Sequence, residues 1–171
     1  TYNKGATAGK ISLNIDMGAS GAPVEVTKTN ILDLIVDCGT VLGEQNIPTK
    51  DRYFVMPEWM SGMTMKSDLK DASLTGDATS PIRNGRLGMI DDFTLYKSNL
   101  LTSAADSGGE TAFHCIVGQK SATTFAAQLT KVEALKAEST FGTLIRGLNV
   151  FGYEVLKGEA LIDLYAYNGS V

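Results

Sequence analysis

The chain has 171 residues, of which 15 are lysine or arginine and 19 are aspartate or glutamate, giving a formal net charge of −4. This length allows one domain with its own hydrophobic core. The scattered basic residues argue against a protein that grips nucleic acid through a basic face, although not against one that encloses it. Apolar residues make up 43% of the chain, and no run approaches the roughly 20 apolar residues of a membrane-spanning helix.

The start of the chain, TYNKGATAGK, lacks the basic and then apolar pattern of a secretory signal. It also lacks an initiator methionine, so we expect a processed chain or an excised piece. Residues 1–26 are rich in small residues, and KISLNIDMG within them alternates apolar and polar residues. This alternation predicts a half-buried strand with flexible glycines on either side.

A first helix is predicted between residues 29 and 45. Its apolar residues recur at steps of three and four, as in an amphipathic helix with one buried stripe. This stripe comprises Ile31, Leu34, Ile35, Cys38, Val41 and Leu42. Thr27 or Thr29 can cap the first turn, and Pro48 marks the exit. Gly39 costs about 1 kcal/mol relative to alanine inside a helix, so we expect close packing on a neighbouring element there.

The next segment predicts a short strand, Tyr53–Met56, and then a short helix that begins after Pro57. This helix carries Trp59, Met60 and Met63. Four methionines lie between residues 56 and 65, which is compatible with a soft-ligand site or an adaptable groove. Packing of these side chains into the core is the favoured interpretation.

A candidate catalytic feature follows a polar loop at residues 70–84. Residues 84–101, NGRLGMIDDFTLYKSNLL, predict a strand that is interrupted by the adjacent acids Asp91 and Asp92. Adjacent side chains of a regular strand point to opposite faces, so these carboxylates cannot share a metal or a proton there. A bulge near Gly88 can bring them together. A bend with solvated acids is the favoured interpretation.

The only histidine, His114, lies in the predicted strand AFHCIVGQK beside Cys115. Neighbours in one strand cannot form a nucleophilic dyad, so a structural histidine is favoured. Cys38 and Cys115 have no close-spaced metal-ligand partners, which predicts small buried residues and not a disulfide or a zinc site. The loops GASGAP, NGRLG and DSGGET do not match a phosphate loop. No catalytic, cofactor-binding or metal-ligating residue is therefore assigned, which favours a protein that acts through its surfaces.

The second half of the chain predicts another helix and then strands. SATTFAAQLTKVEALKAE, residues 121–138, has Ser121 as a candidate cap and apolar residues at helical spacing. That stripe comprises Ala122, Phe125, Ala126, Leu129 and Val132. Residues 140–167 predict two or three strands joined near residues 158–161. Because helices and strands mix without regular alternation, the predicted fold class is α+β.

Three short phrases occur in a fixed order along the chain. The phrase nvP..R..v..P.....l is matched by Asn46, Ile47, Pro48, Arg52, Val55 and Pro57. The phrase G.ig.i.gf.vy.Sn.l is matched by Gly85, Leu87, Gly88, Ile90, Phe93, Leu95, Tyr96, Ser98, Asn99 and Leu100. The phrase yG..vl..eal..l is matched by Phe151, Gly152, Val155, Leu156, Glu159, Ala160, Leu161 and Leu164. In this order and spacing the chain resembles the major capsid proteins of tailed bacteriophages, whose Hong Kong 97-like fold is shared with encapsulins.

The resemblance implies a division of the chain into parts of a capsid subunit. These parts are the end of an extended loop with a lead-in strand at 1–26, the spine helix of a peripheral domain at 27–50, an axial domain at 51–140, and strands returning to the axial and peripheral domains at 141–171. The loops at 70–84 and 102–111 are then candidates for contacts around the fivefold and sixfold axes. Members of this family are usually much longer, so a truncated or trimmed subunit is expected.

The resemblance also implies a structural function and not an enzymatic one. Copies form pentamers and hexamers of an icosahedral shell that encloses double-stranded DNA without reading its sequence. Scaffolding, portal and decoration proteins are the implied partners, with no membrane and no cofactor. The implied location is the virion, and the host cytoplasm during assembly.

Three other functions are left open by the sequence. An encapsulin-like compartment shell has the same fold but encloses protein cargo. A small hydrolase or metal-dependent enzyme would be built around Asp91, Asp92 and His114. A tail or decoration protein of a virion has similar strands and loops.

Overall fold

The computed structural model describes residues 15–67, 88–106, 108–139 and 141–169. Its strands are β1 (Val24–Val26), β2 (Arg52–Met56), β3 (Met89–Ile90), β4 (Phe93–Lys97), β5 (Ser103–Ala105), β6 (Thr111–Gln119), β7 (Thr123–Lys136), β8 (Thr143–Val155) and β9 (Leu161–Asn168). Its α-helices are α1 (Ile31–Glu44) and α2 (Glu58–Lys66), and short 3-10 helices occupy Lys120–Ala122 and Gly158–Ala160. The polar loop predicted at 70–84 lies outside these residues.

The described chain divides into two compact units. The first unit comprises residues 15–122 and 157–169, and the second comprises residues 123–156. The first unit contains a mixed sheet in the order β1-β9-β6-β2-β4-β3, with β5 also paired to β6. The pairs β1–β9 and β2–β4 are parallel, whereas β3–β4, β5–β6, β2–β6 and β6–β9 are antiparallel. The predicted α+β class is confirmed.

Helix α1 covers one face of this sheet with the stripe that its sequence predicts. All six predicted stripe residues are buried, and so is Gly39. The stripe packs into one cluster with alternate residues of β2, β6 and β9, because side chains at steps of two share a face of a strand. The predicted capping by Thr27 or Thr29 is wrong, since the N-cap position is Asn30, whose Oδ1 accepts a hydrogen bond from the Thr27 amide at 2.8 Å.

Helix α2 begins directly after Pro57, as predicted. Met56, Met60 and Met63 are buried in the same core cluster as α1, which confirms core packing for these three of the four methionines, whereas Met65 is only half-buried. Trp59 packs against Phe113 of β6 with ring centroids 5.9 Å apart. Helix α2 therefore packs beside α1 against the same core of the first unit.

The strand predicted in KISLNIDMG is not found in its described part. Residues 15–18 have no strand assignment, and residues 10–14 lie outside the described residues. Met17 is nevertheless fully buried, and its carbonyl oxygen accepts a hydrogen bond from the Tyr165 amide at 2.9 Å. Alternation in the sequence thus identified a buried side chain but not the regular strand.

The helix predicted at residues 121–138 is wrong, because this segment is strand β7. It pairs with β8 as an antiparallel ribbon, which is the whole of the second unit. The register shifts between Leu129 and Lys131, so Thr130 is the extra residue of a bulge. At this bulge, consecutive residues on one face of β7 are three positions apart instead of two. The step from Leu129 to Val132 therefore matches the spacing of a helix, which explains the wrong prediction.

Candidate functional site

Asp91 and Asp92 form the two-residue turn between β3 and β4. Ile90 and Phe93 are direct cross-strand partners, and the two acids have φ of 46° and 64°. Positive φ at both central residues is the geometry of a type I′ hairpin turn. The predicted bend is therefore confirmed as a hairpin.

The turn carries Asp91 onto helix α1. A Cβ atom placed on Gly39 would overlap Oδ2 of Asp91, and it would lie 3.5 Å from Cε2 of Phe93. Gly39 therefore allows the β3–β4 hairpin to approach the helix closely, as predicted from its cost inside a helix. The Asp91 carboxylate lies beside a helix surface and has a structural position.

We expect the double variant Asp91→Asn, Asp92→Asn to fold and assemble like the parent protein. Asparagine adopts positive φ as readily as aspartate, so the free energy of unfolding should change by no more than about 0.5 kcal/mol. Urea unfolding and a metal content measurement check this. Asp92→Val is the control and should lose about 1–2 kcal/mol, because a β-branched residue is strained at positive φ. Loss of a bound metal or of an activity in the asparagine variant would contradict the structural role.

His114 is paired on the outer face of the sheet. Its Nδ1 lies 3.0 Å from Oδ1 of Asp163, and its ring centroid lies 4.5 Å from that of Tyr165. Its neighbours Cys115 and Val117 point into the core that contains α1, so His114 points away from α1. The prediction of a structural histidine agrees with these contacts.

The structure does not assemble the three residues of the hydrolase alternative. Asp91 lies over Gly39 of α1, whereas His114 lies on the face of β6 opposite to α1. Within residues 15–67, 88–106, 108–139 and 141–169, no three His, Cys, Asp or Glu side chains form a group that could hold a metal ion. Two clefts on the ribbon contain none of the three residues: one is lined by residues 136–139 and 141–143, and the other by residues 131, 133 and 146–148.

The two cysteines are free and buried, as predicted. Burial raises the pKa of Cys115 to about 12, with a further contribution from the Asp163 carboxylate. Burial also raises the pKa of Cys38, whose Sγ lies 3.7 Å from the Met17 sulfur. A thiol with a raised pKa is a poor nucleophile, because the thiolate is the reactive form.

We expect neither cysteine to react with a thiol reagent at pH 8 while the protein is folded. Both side chains are inaccessible, and almost no thiolate forms at this pH. Absorbance of the released reagent group should show no rapid phase in buffer and two thiols per chain after unfolding in urea. A rapid stoichiometric reaction of one thiol in buffer would contradict the burial.

Arg52 belongs to the first of the three ordered phrases, but the sequence did not reveal its role. Only 5% of it is exposed. Its guanidinium donates to the carbonyl oxygens of Ile47 at 2.6 Å, Pro48 at 3.0 Å and Gly39 at 3.4 Å. It thus ties the interior of α1 and the loop that follows the helix to the start of β2. The signal was the spacing of Arg52 after Pro48, which places a long donor within reach of the carbonyl oxygens of the loop that follows α1.

A large apolar surface was also missed, because the segment that carries it was predicted as a helix. The ribbon β7–β8 exposes many large apolar side chains. Strand pairing decides which of these share a face, and the bulge at Thr130 hides that pattern in the sequence. No helix of the described residues is long and apolar enough to cross a membrane.

The chain is similar to chains in three solved structures of phages, two of which are capsid structures. A chain of Mycobacterium phage Che8 superposes with a TM-score of 0.68 at 26% identity, over 85% of this chain and 51% of that one. A chain from the capsid structure of the cyanophage P-SCSP1u superposes with a TM-score of 0.65 at 21% identity, over 84% of this chain and 48% of that one. A chain from the capsid of Ralstonia phage GP4 superposes with a TM-score of 0.59 at 14% identity, over 99% of this chain and 53% of that one.

These likenesses extend over most of this chain but only part of the others. The chain spans about half the length of each of the three phage chains. No protein-family model and no curated protein matches it. The three structures agree with the family that the ordered phrases pointed to. The chain therefore has the fold of phage capsid proteins, and its predicted resemblance to the major capsid proteins of tailed bacteriophages is confirmed.

Proposed function

We propose that this chain is part of a major capsid protein that assembles into pentamers and hexamers of an icosahedral shell around double-stranded DNA. The observation that carries the proposal is the likeness to the Che8 chain over 85% of this sequence. Heterologous contacts between identical subunits close into rings, and rings of five and six tile a shell. A shell subunit acts through its surfaces and needs no catalytic site. The structural role of Asp91 and Asp92, which form a hairpin turn, is consistent with this function.

The net charge of −4 supports this function. A shell that must package and release DNA gains little from a strongly basic lining, because phosphate contacts bind DNA tightly and without regard to sequence. The DNA is therefore enclosed and not read. Assembly places the protein in the virion, after a stage in the host cytoplasm with scaffolding and portal proteins.

We propose that residues 51–140 supply the axial domain, with residues 27–50 and the returning strands belonging to the peripheral domain. Helix α1 and the sheet share one core. The proposed boundary at residue 50 therefore separates two roles in the shell and not two separately packed domains. The segment 102–111 contains β5 and a turn in which the Asp106 amide donates to the Glu110 carbonyl at 2.9 Å. Its small, exposed residues allow neighbouring copies to approach closely around an axis.

The test is the mass and assembly state of the intact gene product that contains this sequence. Native mass measurement and negative-stain microscopy should show capsomer rings or closed shells. The double variant Asp91→Asn, Asp92→Asn is the matched control and should form the same particles. DNA in purified particles supports the phage shell, whereas protein cargo would identify an encapsulin-like compartment. A full-length product of only 171 residues that stays monomeric would overturn the capsid function.

A further inference from the structure

Two segments from opposite sides of strand β6 meet in the first unit. Residues 18–22 form a turn beside β9, which we call the lead-in turn. It is closed by backbone hydrogen bonds in both directions between Ala19 and Ala22, at 3.1 and 2.9 Å. The second segment is β5 with the turn at residues 106–110 that follows it. Because β9 and β5 pair with opposite edges of β6 near its start, a contact between the two segments spans the width of that strand.

The contact is made by the Asp106 carboxylate, which two donors share. The amide of Gly21, in the lead-in turn, lies 3.0 Å from Oδ1 and 3.1 Å from Oδ2 of Asp106. The hydroxyl of Tyr165 on β9 also donates to this carboxylate. Burial raises the pKa of Tyr165, and the neighbouring Asp106 carboxylate raises it further. One side chain thus joins the lead-in turn, β9 and the segment that follows β5.

Tyr165 is buried although it lies on the face of the sheet away from α1. Only 5% of Tyr165 is exposed, whereas Ile116 on the same face is 44% exposed. The Tyr165 ring packs against the ring of His114, its cross-strand partner, with centroids 4.5 Å apart. The lead-in turn contacts its other side, since a Cβ atom on Gly18 would lie 3.2 Å from the Tyr165 Cβ. The lead-in turn is therefore part of what covers Tyr165 on this face.

The chemistry of this contact requires a carboxylate. An ionised carboxylate only accepts hydrogen bonds and has lone pairs for several donors, whereas an asparagine amide accepts at its oxygen and donates at its nitrogen. An amide and a hydroxyl, both donors, converge on Asp106. An asparagine in its place can serve both donors only through one oxygen. Hydrogen bonds to a charged acceptor are also stronger than those between neutral groups, so Asp106 holds the lead-in turn better than any neutral residue of its size.

We propose that Asp106 is a latch that holds the lead-in turn to the segment 102–111, so that the turn leaves the sheet only when Asp106 moves. Opening of the latch leaves the core intact, because exposed turns open locally at a much lower cost than the whole fold. The latch is a property of this chain and does not depend on assembly. Its consequence in a shell rests on the proposed function, which assigns the lead-in turn to the end of an extended loop and 102–111 to contacts around the axes. A neighbouring subunit that displaces Asp106 then releases the chain that enters from that loop.

The test is hydrogen exchange of the intact gene product that contains this sequence, resolved to single amides by mass spectrometry, for the parent and for Asp106→Asn. The Gly21 amide should exchange about tenfold faster in the variant, because a hydrogen bond to a charged acceptor is lost. The amides of Ala19 and Ala22, which bond each other and not Asp106, should also exchange faster, because the whole turn opens more often. The Ile35 amide in α1 should be unchanged, which shows that the variant is folded.

Glu110→Gln is the matched control, because it removes the same charge from the same turn but leaves the carboxylate that Gly21 contacts. Exchange in the lead-in turn should be unchanged by it. Tyr165→Phe removes only one of the two donors and should accelerate the Gly21 amide less than Asp106→Asn does. The latch is overturned if Asp106→Asn accelerates the Gly21 amide alone or not at all. Equal acceleration by Glu110→Gln or by Tyr165→Phe would also overturn it, because the charge of the turn or the packing of the tyrosine would then hold the lead-in turn.

Discussion

Arg52→Met is expected to lower the free energy of unfolding of the first unit by about 3 kcal/mol. Methionine keeps the apolar stem of the side chain but removes every donor. The carbonyl oxygens of Ile47 and Pro48 then lose their charged partners, at 2.6 and 3.0 Å, within a part-buried site. Removing one partner of a buried hydrogen bond costs more than the bond contributes, because the remaining group has given up its water.

The arginine also packs over an aromatic ring, which adds to the expected loss. Its Cζ atom lies 5.9 Å from the centroid of the Phe93 ring, where a guanidinium is attracted to the aromatic face. Urea unfolding followed by the fluorescence of Trp59, the only tryptophan, reports directly on this unit. The midpoint should fall while the slope against urea remains the same.

The matched control for Arg52 is Lys97→Met in the same sheet. Lys97 donates to Glu58 at 3.0 Å, and both side chains are exposed. Exposed ion pairs contribute about 0–1 kcal/mol, so this variant should lose at most 1 kcal/mol. Equal effects of the two substitutions would show that Arg52 does not hold the α1–β2 connection.

Gly18→Ala is expected to cost about 3 kcal/mol or more, which is the second large effect. Gly18 has φ of 78°, and a Cβ atom there would overlap the backbone oxygen of Tyr165. Backbone cannot swing aside as the end of a side chain can. The substitution should therefore push residues 15–18 away from β9 and weaken the 2.9 Å bond from the Tyr165 amide to Met17.

Gly21→Ala separates the backbone strain from the overlap. Gly21 has φ of 90°, and no atom lies within 4 Å of the position where its Cβ would be. It should lose only about 1 kcal/mol, the cost of an unfavourable φ for an L-residue. Thermal unfolding of both variants checks the difference, and hydrogen exchange of the Tyr165 amide locates it. Similar losses for the two variants would show that contact with Tyr165 contributes nothing.

Local sequence signals predicted the elements of the first unit well. The stripe of α1 has a period that only a helix satisfies, and Pro57 fixes the start of α2 through its own backbone geometry. The Asp91–Asp92 pair was predicted as a bend from the alternation of its neighbours. Its positive φ values and its approach to Gly39 depend on where α1 packs, which no local pattern contains.

The ribbon shows where local signals fail. Phe125, Leu129 and Val132 are spaced by four and three, which fits a helix equally well. The pairing partner β8 lies further along the chain, and pairing decides between the two structures because the inward-facing backbone groups then bond across the ribbon. The bulge at Thr130 decides which apolar side chains of the ribbon share a face. The sequence alone did not show this grouping, because the bulge depends on the pairing with β8.

The sequence by itself determined the α+β class, the buried stripe of α1, the burial of both cysteines and the resemblance to phage major capsid proteins. These follow from the order and period of residue types, which the chain carries locally. The tertiary structure alone decided that Arg52 joins α1 to β2, that His114 lies on the face away from Asp91, and that β7 is a strand and not a helix. Each of these depends on contacts between distant residues, because packing and strand pairing are fixed only when the whole chain is folded.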